Sequence, residues 1–259
     1  MNPDIRADQL LVAQNLLNSR TRAQQAIAAK RVHYRRGSDW ILLTKPSLKL
    51  SLATQFRLES CESDRYVSRG GLKLAGALMS VKLDVSGLLV LDVGQSTGGF
   101  TDCLLQAGSA KVVGVDVGHD QLADELRNHP QVVYFEGINA RRLSGELLLP
   151  HTGGKGFDLA VMDVSFISQT LILPSVVPLL KPGGQLISLV KPQFEVGKAG
   201  VGKGGLVRDP FFFNKVKEKI SACCQNLGLT VVDYRESAIT GGDGNREFII
   251  YARDDGGMT

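Results

Sequence analysis

The chain has 259 residues, 43% of them hydrophobic and 22% charged, with a net charge of +4. That is enough to build a core in one large domain or in a medium domain plus a small one. Its longest apolar runs are about strand length, which excludes a membrane span of roughly 20 residues. The N-terminal MNPDIRADQLL lacks the basic-then-apolar pattern of a signal peptide. Cys61, Cys103, Cys223 and Cys224 include no C-x-x-C pair, which suits neither a zinc site nor a disulfide framework. The expected setting is therefore the reducing cytoplasm. Charge is unevenly placed: residues 1–60 hold ten Lys and Arg against four Asp and Glu, a net of +6, while residues 61–259 hold twenty against twenty-two, a net of −2. A basic first module points either to a polyanion partner or to a solvated basic face.

In chain order, IRADQLLVAQNLL has helical spacing that lets Leu10, Leu11, Ala13, Leu16 and Leu17 share a face. Ser19 is a plausible N-cap for a second helix with Ala23, Ala26 and Ile27 inward. That helix is expected to project Arg20, Arg22, Lys30 and Arg31, which with Arg6 form the candidate polyanion-binding set. Short β-like pieces follow at VHYRRG, DWILLTKP and ATQFRLES. Residues 1–60 thus read as a small α+β module suited to clamping a phosphate backbone. CESDRYV at 61–67 reads as a linker, and a helix begins around Leu72 with Lys73 in its first turns.

From residue 87 the chain alternates strand and helix. The strand candidates are GLLVLDVG, AKVVGVDVG, QVVYFEG, FDLAVMDVSF, GGQLISLVKP, LTVVDYRES and REFIIYAR. Helices are expected at 100–107, 120–128, 168–180 and 210–227. Apolar strands alternating with helices predict a parallel sheet covered on both faces. The last two strands are joined by AITGGDGN without a helix, so the final strand runs antiparallel. The fold class is α/β, a Rossmann-like class I methyltransferase layout of seven strands. The large domain spans 68–254, and 255–259 is a tail.

In LLVLDVGQSTGGF, Gly94-Gln95-Ser96 puts a serine where a dinucleotide-binding loop needs its second glycine. Asp92 ends the strand where a pyrophosphate would be repelled. A cationic ligand suits it better, and S-adenosylmethionine carries an ammonium and a sulfonium. Asp116, 24 residues beyond Asp92, stands where an acid accepts ribose hydroxyls. The alternative is a glycine turn that only closes strand onto helix. GKAGVGKGG copies most of a P-loop but has Gly204 where Ser or Thr should hold magnesium, so a P-loop is rejected. Asp163 and Lys191 end the fourth and fifth strands. A lysine there is costly without a partner. Together the two can orient an acceptor hydroxyl and stabilise it as it loses its proton, or they can be a structural ion pair. Read alone, Lys73 is a solvated helix lysine and Glu247 opens an edge strand.

SRTRAQQAI (19–27), YVSRGGLKL (66–74), DVGQSTGGFTDCLLQ (92–106), VDVGHDQL (115–122), MDVSFIS (162–168), LVKPQFE (189–195) and GGDGNREF (241–248) together resemble the TlyA, or haemolysin A, family. The resemblance implies a small RNA-binding domain of the ribosomal-protein-S-four type joined to an FtsJ-like methyltransferase. It implies S-adenosylmethionine-dependent 2′-O-methylation of cytidine in ribosomal RNA, with ribosomal RNA or ribosomal subunits as partner and no metal, membrane or obligate protein partner. It also supplies a tetrad of Lys73, Asp163, Lys191 and Glu247. The donor pocket is expected to involve Asp92, Gly94, Ser96, Thr97, Gly98, Gly99, Phe100, Asp116, Val117, Asn139 and Asp163. The family's loop usually has a small residue where Gln95 stands, so a longer side chain there either crowds the methionine end of the donor or hydrogen-bonds to it. Ala29 replaces a usual glycine, and VHYRRG replaces V-x-V-N-G. Two other readings are a membrane-damaging protein and an RNA-binding assembly factor with a vestigial fold. The first lacks a membrane-inserting segment, and the intact tetrad argues against the second.

Overall fold

A computed structural model describes residues 4–17, 19–61, 64–197, 200–241 and 244–256. Parts of the expected linker (62–63), the glycine-rich connection (242–243), the loop of the rejected P-loop (198–199) and the tail (257–259) lie outside the described residues. The chain divides into two compact units, Met1–Arg65 and Tyr66–Thr259.

In the first unit, β1 (Ile5–Arg6) pairs antiparallel with β4 (Lys49–Leu50). β2 (Val32–Arg36) is the centre of a second sheet between β3 (Asp39–Leu42) and β5 (Phe56–Leu58). Helices α1 (Ala7–Ala13) and α2 (Arg20–Ala28) pack on this framework through Ala7, Leu11, Ala23, Ala26 and Ile27. Ser19 caps α2, its hydroxyl accepting from the Arg22 amide at 3.3 Å. The first helix is shorter than its apolar spacing predicts. Asn15 takes a φ of +57°, which ends it, so Leu17 reaches the core from the loop and Leu16 is exposed.

The second unit is built on a seven-stranded sheet in the order β11-β12-β10-β9-β6-β7-β8. β6 (Leu89–Val93), β7 (Lys111–Val115), β8 (Val132–Phe135), β9 (Phe157–Met162) and β10 (Leu180–Val190) are mutually parallel. β12 (Phe248–Asp254) is antiparallel to both β10 and β11 (Leu229–Glu236). The reversed strand is last in sequence but interior in space, which corrects the edge-strand reading of Glu247. Two apolar layers cover the sheet. One includes Leu74, Ala77, Phe100 and Leu104, from α3 (Arg69–Val81) and α4 (Gly99–Gln106). The other includes Leu173, Val176, Phe213, Val216 and Ile220, from α7 (Leu173–Val176) and α9 (Pro210–Asn226).

Two expected helices are much reduced. Of 120–128, only α5 (Asp124–Arg127) is helical. Of 168–180, a 3₁₀ turn at Gln169–Leu171, the four-residue α7 and a second 3₁₀ turn at Val177–Leu179 remain. Pro174 and Pro178 each remove a backbone donor and clash with the preceding turn, so apolar periodicity persists without a continuous helix.

Candidate active site

In the second unit the register aligns four strand ends on one edge. Val93 pairs with Val115 and Met162, and Val190 pairs with Phe248. Asp163 follows β9 and Lys191 follows β10, so both leave the sheet at its carboxyl edge. Because β12 runs the other way, its entry point lies on that same edge, which brings Glu247 there. Lys73 comes from the first turns of α3.

The four groups form two ion pairs. Lys191 Nζ lies 2.6 Å from Asp163 Oδ1, and Lys73 Nζ lies 2.5 Å from Glu247 Oε2. The first is a charge contact: the directed hydrogen bond from Lys191 Nζ goes to Ser165 Oγ at 2.8 Å. The second is a hydrogen-bonded pair between residues 174 positions apart. Glu247 is 4% exposed, and the Lys73 side chain keeps 11% of its surface. Lys73 is therefore not the solvated helix lysine that its local sequence suggests.

A third carboxylate fastens the segments carrying Asp163 and Lys191. Buried Glu195, in α8 (Pro192–Glu195), accepts from Ser168 Oγ (2.6 Å), the Gln169 amide (2.7 Å) and Lys219 Nζ (2.8 Å). The chain after Asp163 is thus tied to the chain after Lys191. Between them Phe166 takes a φ of +64° and is 90% exposed, its ring 5.1 Å from that of Phe194. Such a conformation is strained for a bulky residue, and its place beside the tetrad was not anticipated from sequence.

Three adjoining cavities meet at these groups. One of about 280 Å³ touches Arg69, Lys73, Gly94, Thr97, Asp163 and Lys191. A second of about 590 Å³ reaches Asp116, Val117, Ile138, Asn139 and Phe166. A third of about 370 Å³ is lined by Lys73, Lys191, Gln193, Phe194, Asn245 and Glu247. The first shares Gly94, Ser96, Asp163 and Ser165 with the second, and Lys73, Ser165 and Lys191 with the third.

The glycine loop is shaped by close approaches. Gly94 has φ +83°, and a Cβ there would lie 2.7 Å from the Asp163 carbonyl oxygen. Gly98 caps α4 in the left-handed region, and a Cβ on Gly99 would meet Ser68 Oγ at 2.1 Å. Ser96 is itself at φ +47°. Its amide donates to Asp116 Oδ2, and the Gly118 amide donates to Asp116 Oδ1, both at 2.7 Å. Asp116 is therefore oriented by backbone before any ligand arrives. Asn139 is exposed, and its Oδ1 accepts from the Arg141 amide at 3.0 Å. Val117 is also exposed. Thr97 and Phe100 line the 280 Å³ cavity, Phe100 largely from within the core.

Asp92 is fully buried. Its Oδ2 accepts from Thr101 Oγ1 at 2.7 Å, and its Oδ1 has no partner within the protein. Burial pushes this carboxyl up to about 7, with the charges of Asp163 and Asp116 adding to the shift and the Thr101 hydrogen bond opposing it. Gln95 borders the 280 Å³ cavity. It is 5% exposed, and its Nε2 donates to Thr101 Oγ1 at 2.8 Å. The side chain turns beneath the loop rather than out of it. The rejected P-loop segment holds a 3₁₀ turn at Lys203–Gly205, and the next helix waits until Pro210.

The cations expected to face a polyanion in the first unit are differently placed from the sequence reading. Arg6 donates to buried Asp8 at 2.8 and 2.9 Å, and Arg20 lies 3.4 Å from the same carboxylate. Arg6 in particular holds Asp8 well below the usual carboxylate range. Arg31 is bound by Asp64 at 2.5 and 3.2 Å, with only 16% of its side chain exposed. Because α2 ends at Ala28, Lys30 and Arg31 lie beyond it rather than projecting from it. Lys30 is exposed and Arg22 is half-buried.

Against known proteins, the FtsJ-like methyltransferase family model matches residues 66–254. A 16S/23S rRNA (cytidine-2′-O)-methyltransferase TlyA of Mycobacterium tuberculosis is 40% identical over 96% of this chain and 89% of its own. Hemolysin A of Brachyspira hyodysenteriae is 34% identical over 95% and 99%. A solved Streptococcus thermophilus structure carrying the hemolysin name superposes with a TM-score of 0.74 at 37% identity, covering 98% of this chain and 90% of that one.

Proposed function

The chain belongs to the FtsJ-like methyltransferase family, and from that premise we propose that it transfers a methyl group from S-adenosylmethionine to the ribose 2′-hydroxyl of cytidine in ribosomal RNA. The observation that carries the reading is the meeting of both ion pairs with the glycine loop around one set of cavities. The curated relative from M. tuberculosis, which bears this activity in its name, supports the choice of acceptor.

The residues present fit the donor. Asp92 keeps a buried acceptor oxygen without a partner, an unanswered preference for positive charge. Gly94 leaves open the space that a Cβ would fill against the Asp163 carbonyl. Asp116, fixed by two backbone amides, can accept from ribose hydroxyls through its remaining lone pairs. When bound, S-adenosylmethionine supplies a methyl already activated by a sulfonium. The protein's part is then positioning and electrostatics. Lys191 donates to the acceptor hydroxyl oxygen and stabilises the developing alkoxide as the hydroxyl proton passes to solvent water. Asp163 and Ser165 hold the Lys191 ammonium in place. Lys73, oriented by Glu247, adds positive charge on the acceptor side. Glu195 keeps the two strand-end segments in register with each other.

In the first unit, the RNA-binding role rests on its net charge and on exposed Lys30, Arg35 and Arg36. Lys191→Ala is the direct test. It should abolish methyl transfer to ribosomal RNA while S-adenosylmethionine still binds by calorimetry. Transfer at the wild-type rate would overturn the mechanism.

A further inference from the structure

Gln95 occupies a position where the family resemblance calls for a small residue, and the proposed mechanism leaves it unused. We infer that Gln95 is a positioning residue of the methyl-donor site: seated over Gly114, its amide fixes the Thr101 hydroxyl on Asp92 and so favours the charged carboxylate that a cationic donor needs. This rests on the donor reading above.

The geometry runs in one direction. Gln95 Nε2 donates to Thr101 Oγ1, and Thr101 Oγ1 donates to Asp92 Oδ2. A hydroxyl has one proton. Once its oxygen accepts from the amide, the proton is held toward the carboxylate. Without the amide, a threonine inside a helix can turn its hydroxyl to the carbonyl of the preceding turn instead.

The amide has a place only because residue 114 is glycine. A Cβ there would lie 2.0 Å from Gln95 Cδ and 2.2 Å from both amide heteroatoms. Gly114 is also the register neighbour of Asp92 on β7. Gln95 and Gly114 therefore interlock, and Asp92 lies alongside.

Two groups favour the charged form of Asp92, both on Thr101: its hydroxyl, which this relay holds, and its backbone amide. β7 faces it with Gly114 and β9 with Val161, neither of them titratable. The charges that act on it from those strands' ends, Asp116 and Asp163, are both acids and oppose its ionisation. Both cations of the tetrad are already held, Lys191 by Asp163 and Ser165 and Lys73 by Glu247. With burial pushing Asp92 up to about 7, small changes in hydrogen bonding decide its charge at working pH.

Gln95→Met tests this, since methionine approximates the volume but has no donor. S-adenosylmethionine affinity would be measured by calorimetry from pH 6 to 9, with thermal melting as a check on folding. Wild-type affinity should rise through about pH 7 as Asp92 ionises. Gln95→Met should bind about fivefold more weakly at pH 7 and about tenfold more weakly at pH 6, its rise displaced by about one pH unit and the deficit closing by pH 9. Thr101→Val should show the same displacement, and the double variant should add little. If Gln95→Met does not fold, Gly114→Ala, which displaces the amide from the opposite side, should reproduce the shifted profile. An unchanged profile overturns the inference. So does a deficit that is the same at every pH, which marks mere loop damage. Absence of binding by the wild type would overturn the donor reading itself, and this inference with it.

Discussion

Removing Lys73 and Glu247 singly and together distinguishes a structural ion pair from a catalytic one. Lys73→Met leaves Glu247, 4% exposed, without its cation. Breaking a buried pair by removing one partner costs about 3–5 kcal/mol. The Lys73 side chain keeps 11% of its surface, so the lower end, about 3 kcal/mol, applies. For a unit of this size each kcal/mol moves Tm by about 2–4 °C, which gives a fall of about 6–12 °C. Glu247→Gln should fall by a similar amount. In the double variant no buried charge is left unpaired, and stability should return to within about 1 kcal/mol of wild type. Methyl transfer should not return, since losing preorganised charge at the acceptor is worth about 10²–10³ in rate. Scanning calorimetry and a single-turnover transfer assay read the two halves. A double variant that transfers methyl normally would make the pair structural only. A double variant as unstable as the singles would show that the two charges are not coupled.

Asp92→Asn should weaken donor binding by about tenfold or more, and its stability relative to wild type should improve from pH 5 to pH 8. The sign follows from the raised value: between 3.8 in the unfolded chain and about 7 in the folded one, the folded state holds the extra proton, so wild type loses stability as pH rises through that window. Denaturant melts at the two pH values that show no relative change would refute the shift. Gly94→Ala places a Cβ 2.7 Å from the Asp163 carbonyl at a φ of +83°, and should cost about 1–3 kcal/mol while abolishing donor binding. Normal donor affinity in that variant would remove the close approach from the argument. Deleting the first unit should weaken RNA binding and flatten its salt dependence, with the donor Kd within about twofold of wild type. Unchanged RNA affinity in filter binding would move the RNA contacts elsewhere.

What the sequence discloses follows from how far each signal reaches. Asp163 and Lys191 are visible because an acid and a lysine after apolar runs stand out locally. Lys73 and Glu247 are invisible one at a time, because each acquires meaning from a partner 174 residues away. They enter through family resemblance, and the antiparallel β12 explains physically why they meet. Gln95 has no legible role in the sequence for a related reason: the space that receives it is made by the missing side chain of Gly114, on another strand. The helix expected over 168–180 fails at Pro174 and Pro178, where backbone chemistry overrides an otherwise adequate apolar period. Arg31 reads as a surface cation until Asp64 is seen to hold it.

The interior position of β12 has a consequence for synthesis. β12 follows β10 and β11 in the chain and is inserted between them. Until it arrives, both present unpaired edges, and Lys73 faces no acid. A nascent or truncated chain that stops before residue 247 can already contain the basic first unit and the whole glycine loop, yet it lacks the fourth member of the tetrad. Synthesis of β12 is thus the event that brings the four proposed side chains together.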